Sequence, residues 1–134
     1  SGSLNDRLLN QRVQRFSADP AALTALMAYQ TTGALTVPMV TLHTTGDEVI
    51  PFWHQLLYRG KVHTSGRGQL LQIPIFRYGH CNFTSDEALA GFAIMIFIST
   101  GQEVRGLPDH FDPGQIERDF QKAQSLDSDV YLPD

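Results

Sequence analysis

Two residues carry most of the chemistry this chain can offer, Asp47 and His80. Asp47 follows Gly46 in the run LHTTGDEVIP, Leu42 to Pro51. His80 follows Gly79 in IPIFRYGHCNFT, Ile73 to Thr84. Each run begins apolar and ends in a glycine-led turn. A histidine works as a general base only when its ring is held in one tautomer and one orientation. A buried carboxylate that accepts the Nδ1 proton does this, and it stabilises the imidazolium formed in the reaction. Asp47 is therefore expected to orient His80, and His80 to take the proton of a nucleophile. The glycine before each residue lets a tight turn present the side chain outward.

Taken alone, each residue has a plainer reading. Asp47 suits a turn or a helix cap beside Pro51, because Asp is favoured at turns. His80 alone reads as a turn histidine with a satisfied side chain. The two together, in order and at strand ends, favour the catalytic reading. Cys81 invites a thiol-nucleophile reading, but neighbouring side chains point in different directions, so a small buried thiol is expected. His43, His54 and His63 match no compact ligand spacing, so no metal is expected. No cofactor is expected either. Phe52, Trp53 and Tyr58 are expected on the core face of a helix rather than in an acyl pocket. Glu48 reads as a solvated turn residue.

The elements that must position the pair follow from spacing. Leu8, Leu9, Val13 and Phe16 recur at helical intervals and predict a helix over Leu4 to Phe16. Asp19 caps a second helix, with Pro20 in the first helical position, where its missing N–H costs nothing. That helix is predicted to reach about Thr31, with Gly33 ending it at positive φ. A strand is predicted over 38–43, since Pro38 pushes its predecessor toward extended geometry. A third helix starts at Pro51 and fades by His63, ahead of the loop Ser65 to Gly68. Leu70 to Phe76 reads as a second strand, apolar on both faces as in covered parallel sheets. Pro74 within it points to an edge or a bulge. Thr84 or Ser85 caps a helix from Asp86 to about Ser99, with Glu87 at capping-box spacing from Thr84. Residues 101–134 read as a polar tail with one helix, Gln115 to Gln124, that packs as a strap or hangs loosely. Asp127 to Asp134 is expected to be disordered.

The resulting order is helix, helix, strand, helix, strand, helix. Strands joined through a helix should be parallel, so the fold class is α/β with a short parallel sheet and crossover helices. Ligands in such sheets bind beyond the carboxyl ends of the strands, where both Asp47 and His80 sit. At 134 residues one domain is the prior. The net charge of −4 comes with no basic patch, which argues against nucleic acid as a partner. The single cysteine cannot form an internal disulfide. Residues 1–3, Ser-Gly-Ser, look like a tag remnant, so the lack of a targeting signal leaves localisation open. The longest apolar run, Ala88 to Ile98, is about half of a membrane span of roughly 20 residues, so no span is expected.

From about Gly33 to Phe97 the chain resembles the carboxyl-terminal third of the α/β-hydrolase fold. The last two strands of that fold carry the triad acid and histidine, in chain order Ser…Asp/Glu…His. Val37-Pro38 through Gly46-Asp47 to Val49-Ile50-Pro51 resembles the Pro-led strand that delivers the acid. Gly79-His80-Cys81-Asn82-Phe83 resembles the Gly-His-x-x-Phe turn, most closely that of esterase- or lipase-like members. The resemblance implies that residues 4–100 form the carboxyl-terminal part of such a domain, acting on a small-molecule ester. No G-x-S-x-G elbow occurs, and Ser65 falls between the acid and the histidine. The nucleophile and oxyanion donors would then lie outside this chain, which alone should not turn over ester. Leu4 to Tyr29 would be late cap or connecting helices.

A truncated sheet implies an open edge, so self-association is expected, by edge pairing or exchange of a helix. The alternative is a non-catalytic relative of the same fold that serves as a binding or interaction module. A third reading, an unrelated Rossmann-type αβ domain, would need a phosphate-binding G-x-G-x-x-G, and none is present.

Overall fold

A computed structural model of the chain describes residues 4–102, 105–108 and 111–128. The chain divides into two compact units, residues 1–30 and 31–134. The first holds α1 (Leu4–Arg12) and α2 (Pro20–Met27). Asp19 caps α2, its Oδ1 accepting the amides of Ala21 and Ala22 at 2.8 and 3.0 Å. Both helices stop short of their predicted ends. Neither has a buried residue. Most helical stability in proteins comes from packing an apolar face, and without it periodicity alone does not carry a helix further. Gly33 does adopt φ +73°, yet it lies well past α2, which Ala28 closes in right-handed geometry. Its place is set by crowding: a Cβ there would stand 2.4 Å from the carbonyl carbon of Lys61.

The second unit is mixed α/β. It runs β1 (Met39–Gly46), α3 (Trp53–Ser65), β2 (Leu70–Tyr78), α4 (Ser85–Thr100) and α5 (Pro113–Ser128). The strands β1 and β2 pair in parallel as a two-stranded sheet, with α3 as the crossover. Register holds from Met39 opposite Leu70 to Thr44 opposite Ile75. It then shifts, so that Gly46 faces Tyr78. Both strands run further than predicted, past His43 and past Phe76. The polar residues Thr44, Thr45, Arg77 and Tyr78 resemble turn chemistry in sequence, but the pairing continues through them. Pro74 sits in register opposite His43 and is buried; the irregularity falls later, between Thr44 and Gly46. A two-stranded sheet gives each strand an edge, where proline is tolerated.

The helix α3 also outlasts its expected end and closes at Gly66, which takes φ +63° and donates its amide to His63 O. At the start of α4 both bonds of the capping box form. Thr84 Oγ1 accepts the Glu87 amide at 3.2 Å, and Glu87 Oε2 accepts the Thr84 amide at 2.8 Å. The buried face of α4 is Ala90, Gly91 and Ile94. Gly91 lies so close to β1 that a Cβ would stand 2.5 Å from Leu42 Cδ1.

The tail packs rather than hangs. Ile116, Phe120 and Ala123 on α5 are buried, as is Phe111 before it. Phe111 and Ile116 join a core with Ile73, Ile75, Ala90 and Ile94. Phe120 and Ala123 join a second cluster with Phe52. Thus α5 binds both clusters into one body by a single stripe at spacings of four and three. The disorder expected of the last residues lies outside the described residues from 129 on, while α5 continues through Ser128. Residues 1–3, expected to be a tag remnant, lie outside them too.

Candidate functional site

Asp47 lies just past β1 and His80 just past β2, so parallel pairing puts both at one rim of the sheet. His80 Nδ1 and Asp47 Oδ2 are 2.8 Å apart. The Asp47 side chain is 4% exposed and that of His80 44%. The other carboxylate oxygen, Oδ1, accepts the amides of Val49 at 2.9 Å and Ile50 at 2.8 Å. One oxygen of Asp47 thus fixes its own turn and the other fixes the ring. Because a carboxylate only accepts, His80 must donate from Nδ1, which leaves the lone pair of the neutral ring on Nε2. Burial pushes the Asp47 carboxyl up. The Ile50 amide, the His80 hydrogen bond, the Val49 amide and the charge on His80 outweigh it and hold the group at about 2, below its ordinary 3.8.

The two glycines of the motif have different jobs. Gly79 takes φ +105°, which only glycine adopts freely. Its amide donates to Gly46 O at 3.1 Å, and its carbonyl accepts the Thr44 hydroxyl at 2.6 Å. The His80 turn is therefore fastened to β1 through both the amide and the carbonyl of Gly79. Gly46 has ordinary φ but little room: a Cβ would stand 3.1 Å from the Cα of Tyr78. The far side of the turn is clamped by Arg77. Its guanidinium makes two bonds to Glu87, at 2.8 and 2.9 Å, and one to Asn82 O at 2.7 Å. Bidentate pairing with Arg77 leads the causes that bring the Glu87 carboxyl from 4.5 to about 2, against the opposing effect of burial.

Sequence reasoning missed His43. It lies on β1 four residues before Asp47, and its Nε2 is 3.7 Å from the same Oδ2 that holds His80. Nε2 is 2.9 Å from Ile50 O, and Nδ1 is 3.1 Å from Gln55 Nε2. The carbonyl partner assigns the proton to Nε2, and Nδ1 then accepts from Gln55. Gln55 Oε1 in turn accepts from Thr41 Oγ1 and Gln72 Nε2, both at 2.8 Å. This network joins the Asp47 turn, through Ile50 O and His43, to α3 and β2. The signal in the sequence was only a histidine inside a strand, and the partners come from α3 and β2.

Cys81 is a correction. It is exposed, not buried. It adopts φ +49°, and its Sγ lies 3.6 Å from His80 Nε2. Neighbouring side chains diverge in extended backbone, but a left-handed residue turns the chain so that these two converge. Ser65 is remote: it ends α3, near the start of β2 rather than its carboxyl end, and it bonds the carbonyls of Gly33 and Val62. Phe52 is core, packed on Phe120 with ring centroids 5.7 Å apart. The His54 ring stacks on Trp53.

A cleft of about 440 Å³ opens beside the strand ends, lined by Gly46, Phe52, Phe76, Tyr78 and Ala123 among others. Neither Asp47 nor His80 lines it, so it carries no argument about the pair. Among the described residues no helix is long and apolar enough to cross a membrane. No protein-family model, no curated protein and no solved structure matches the chain.

Proposed function

We propose that this chain is the acid-and-histidine part of a serine hydrolase of the α/β-hydrolase type, esterase- or lipase-like, whose nucleophile lies in sequence outside these residues. The observation that carries the reading is the 2.8 Å bond from His80 Nδ1 to the buried Asp47. It leaves Nε2 on a half-exposed ring at the rim where a nucleophile would arrive. His80 would take the serine proton at Nε2 and return it to the leaving alcohol. Asp47 would keep the ring in that tautomer and stabilise the imidazolium. The substrate class is a small-molecule carboxylic ester.

The test is to extend the chain upstream in its gene and assay the longer protein on short-chain esters. A G-x-S-x-G elbow should appear upstream, and activity should fall on the order of 10⁴-fold in His80→Ala. An upstream sequence without an elbow, in a protein that hydrolyses no ester, would leave the fold as a binding module. The 134-residue chain by itself should show no sustained ester turnover.

A further inference from the structure

The lone pair of His80 Nε2 already has a neighbour within this chain. Cys81 Sγ stands 3.6 Å away, within the longer reach of a sulfur hydrogen bond. Cys81 does not stand alone: it completes a row of thiol, imidazole and buried carboxylate. The nucleophile touches the base, and the base is held by a third group. We propose that Cys81 is a nucleophile served by His80, accepting an acyl group from an activated ester. This inference rests on the reading of His80 as a base and names a second group for the same Nε2.

Local structure holds the thiol in place. A non-glycine residue at φ +49° is uncommon, and it persists only where its surroundings determine it. Here the Cys81 carbonyl accepts the Phe83 amide at 2.9 Å. The Asn82 side chain donates to Tyr78 O at 2.9 Å, and Arg77 holds Asn82 O. The Asn82 flank of Cys81 is thus tied to the end of β2, and the His80 flank to Asp47. Thiol and imidazole converge at an exposed position where a small electrophile can reach the sulfur.

The step balances as an acyl transfer. The thiol proton passes to His80 Nε2, and the sulfur attacks the ester carbonyl. A carbon–sulfur bond forms and the carbon–oxygen bond to the leaving alcohol breaks. The alkoxide takes the proton back from His80. The products are a thioester on Cys81 and a free alcohol, with no oxidant or reductant consumed.

The experiment mixes the full chain with p-nitrophenyl acetate at neutral pH. It follows nitrophenolate release and locates the acetyl group by peptide mass spectrometry. The expected result is a burst of one equivalent and no more, with the acetyl group on the peptide holding Cys81 and removable by neutral hydroxylamine. Cys81→Ala should abolish the burst. His80→Gln should slow it on the order of 10²-fold, the low end for a positioned general base. The wild-type chain unfolded in urea should show the same slowing, which keeps the test decisive if the His80 variant misfolds. Acetylation at another residue, or an equal burst rate in folded and unfolded chains, would overturn the inference. Those outcomes leave the upstream-elbow test of the hydrolase reading untouched.

Discussion

At the scale of single residues, Asp47 does two jobs with two oxygens, and its ionisation is the condition for both. Its carboxyl is held at about 2 in the fold, below the ordinary 3.8. A depressed folded value means that the unfolded chain binds the proton more tightly. The stabilisation is therefore fully present above about pH 4, and it is lost as the pH falls through the folded value near 2. Glu87 titrates over a similar window, so the effect of Asp47 must be isolated by difference. Urea titrations of wild type and Asp47→Asn at several pH values should show wild type the more stable above pH 4. The gap should close toward pH 2. A gap independent of pH would mean that the carboxylate is not held as described. Thr44 offers a second test. Its hydroxyl is fully buried and donates to Gly79 O at 2.6 Å. Thr44→Val keeps the shape and leaves that carbonyl unpaired. It should cost about 1–3 kcal/mol in denaturant unfolding. It should also speed amide exchange in the 79–83 turn.

At the scale of elements, the rim is built by two short turns, each tied to a helix. The pair Arg77–Glu87 ties the His80 turn to the first turn of α4, while Gln55 on α3 holds His43, which bonds Ile50 O of the Asp47 turn. The helix α5 contributes buried side chains to both apolar clusters of the unit. Phe120 is 1% exposed and packs on Phe52 and under the guanidinium of Arg59, 4.2 Å from the ring centroid. Truncating a buried phenylalanine loses its transfer free energy and leaves a cavity. Phe120→Ala should cost about 3–5 kcal/mol, measured by chemical denaturation. Because Phe52 also touches the His43 ring, the loss should broaden the His43 and His80 resonances as well. A variant with wild-type stability would mean that α5 is a detachable tail.

At the scale of the whole molecule, the sheet is short and α4 leaves apolar side chains exposed. Among the described residues β1 is paired with β2 and with no other strand. On α4, Leu89 is 64% and Phe92 56% exposed, on a helix that is apolar nearly all round. A helix of that kind is normally buried, and an open strand edge is a template for another chain. The chain should therefore self-associate at micromolar concentration in sedimentation velocity. A clean monomer would mean that the edge and the α4 surface tolerate solvent, and the truncated-domain reading would lose its physical basis.

The sequence by itself determined the local grammar of this protein. Asp19 before Pro20 and Thr84 before Glu87 mark helix starts, because a cap is a contact within one turn. Two apolar runs around one helix mark a parallel pair, because a crossover permits little else. Asp47 and His80 were legible for the same reason, since each ends a strand and parallel strands end together. Tertiary structure decided whatever depends on partners distant in the chain. The stripe of α5 reads as polar tail until Ile73, Ile75 and Phe52 supply the surface that buries it. The second histidine at Asp47 is legible only once Gln55 and Ile50 fix its ring. Cys81 reads as a buried thiol until backbone strain, held by Arg77 and Asn82, turns its sulfur onto His80. Short-range physics is written in neighbouring residues, whereas burial and convergence depend on surfaces that exist only after the chain has folded.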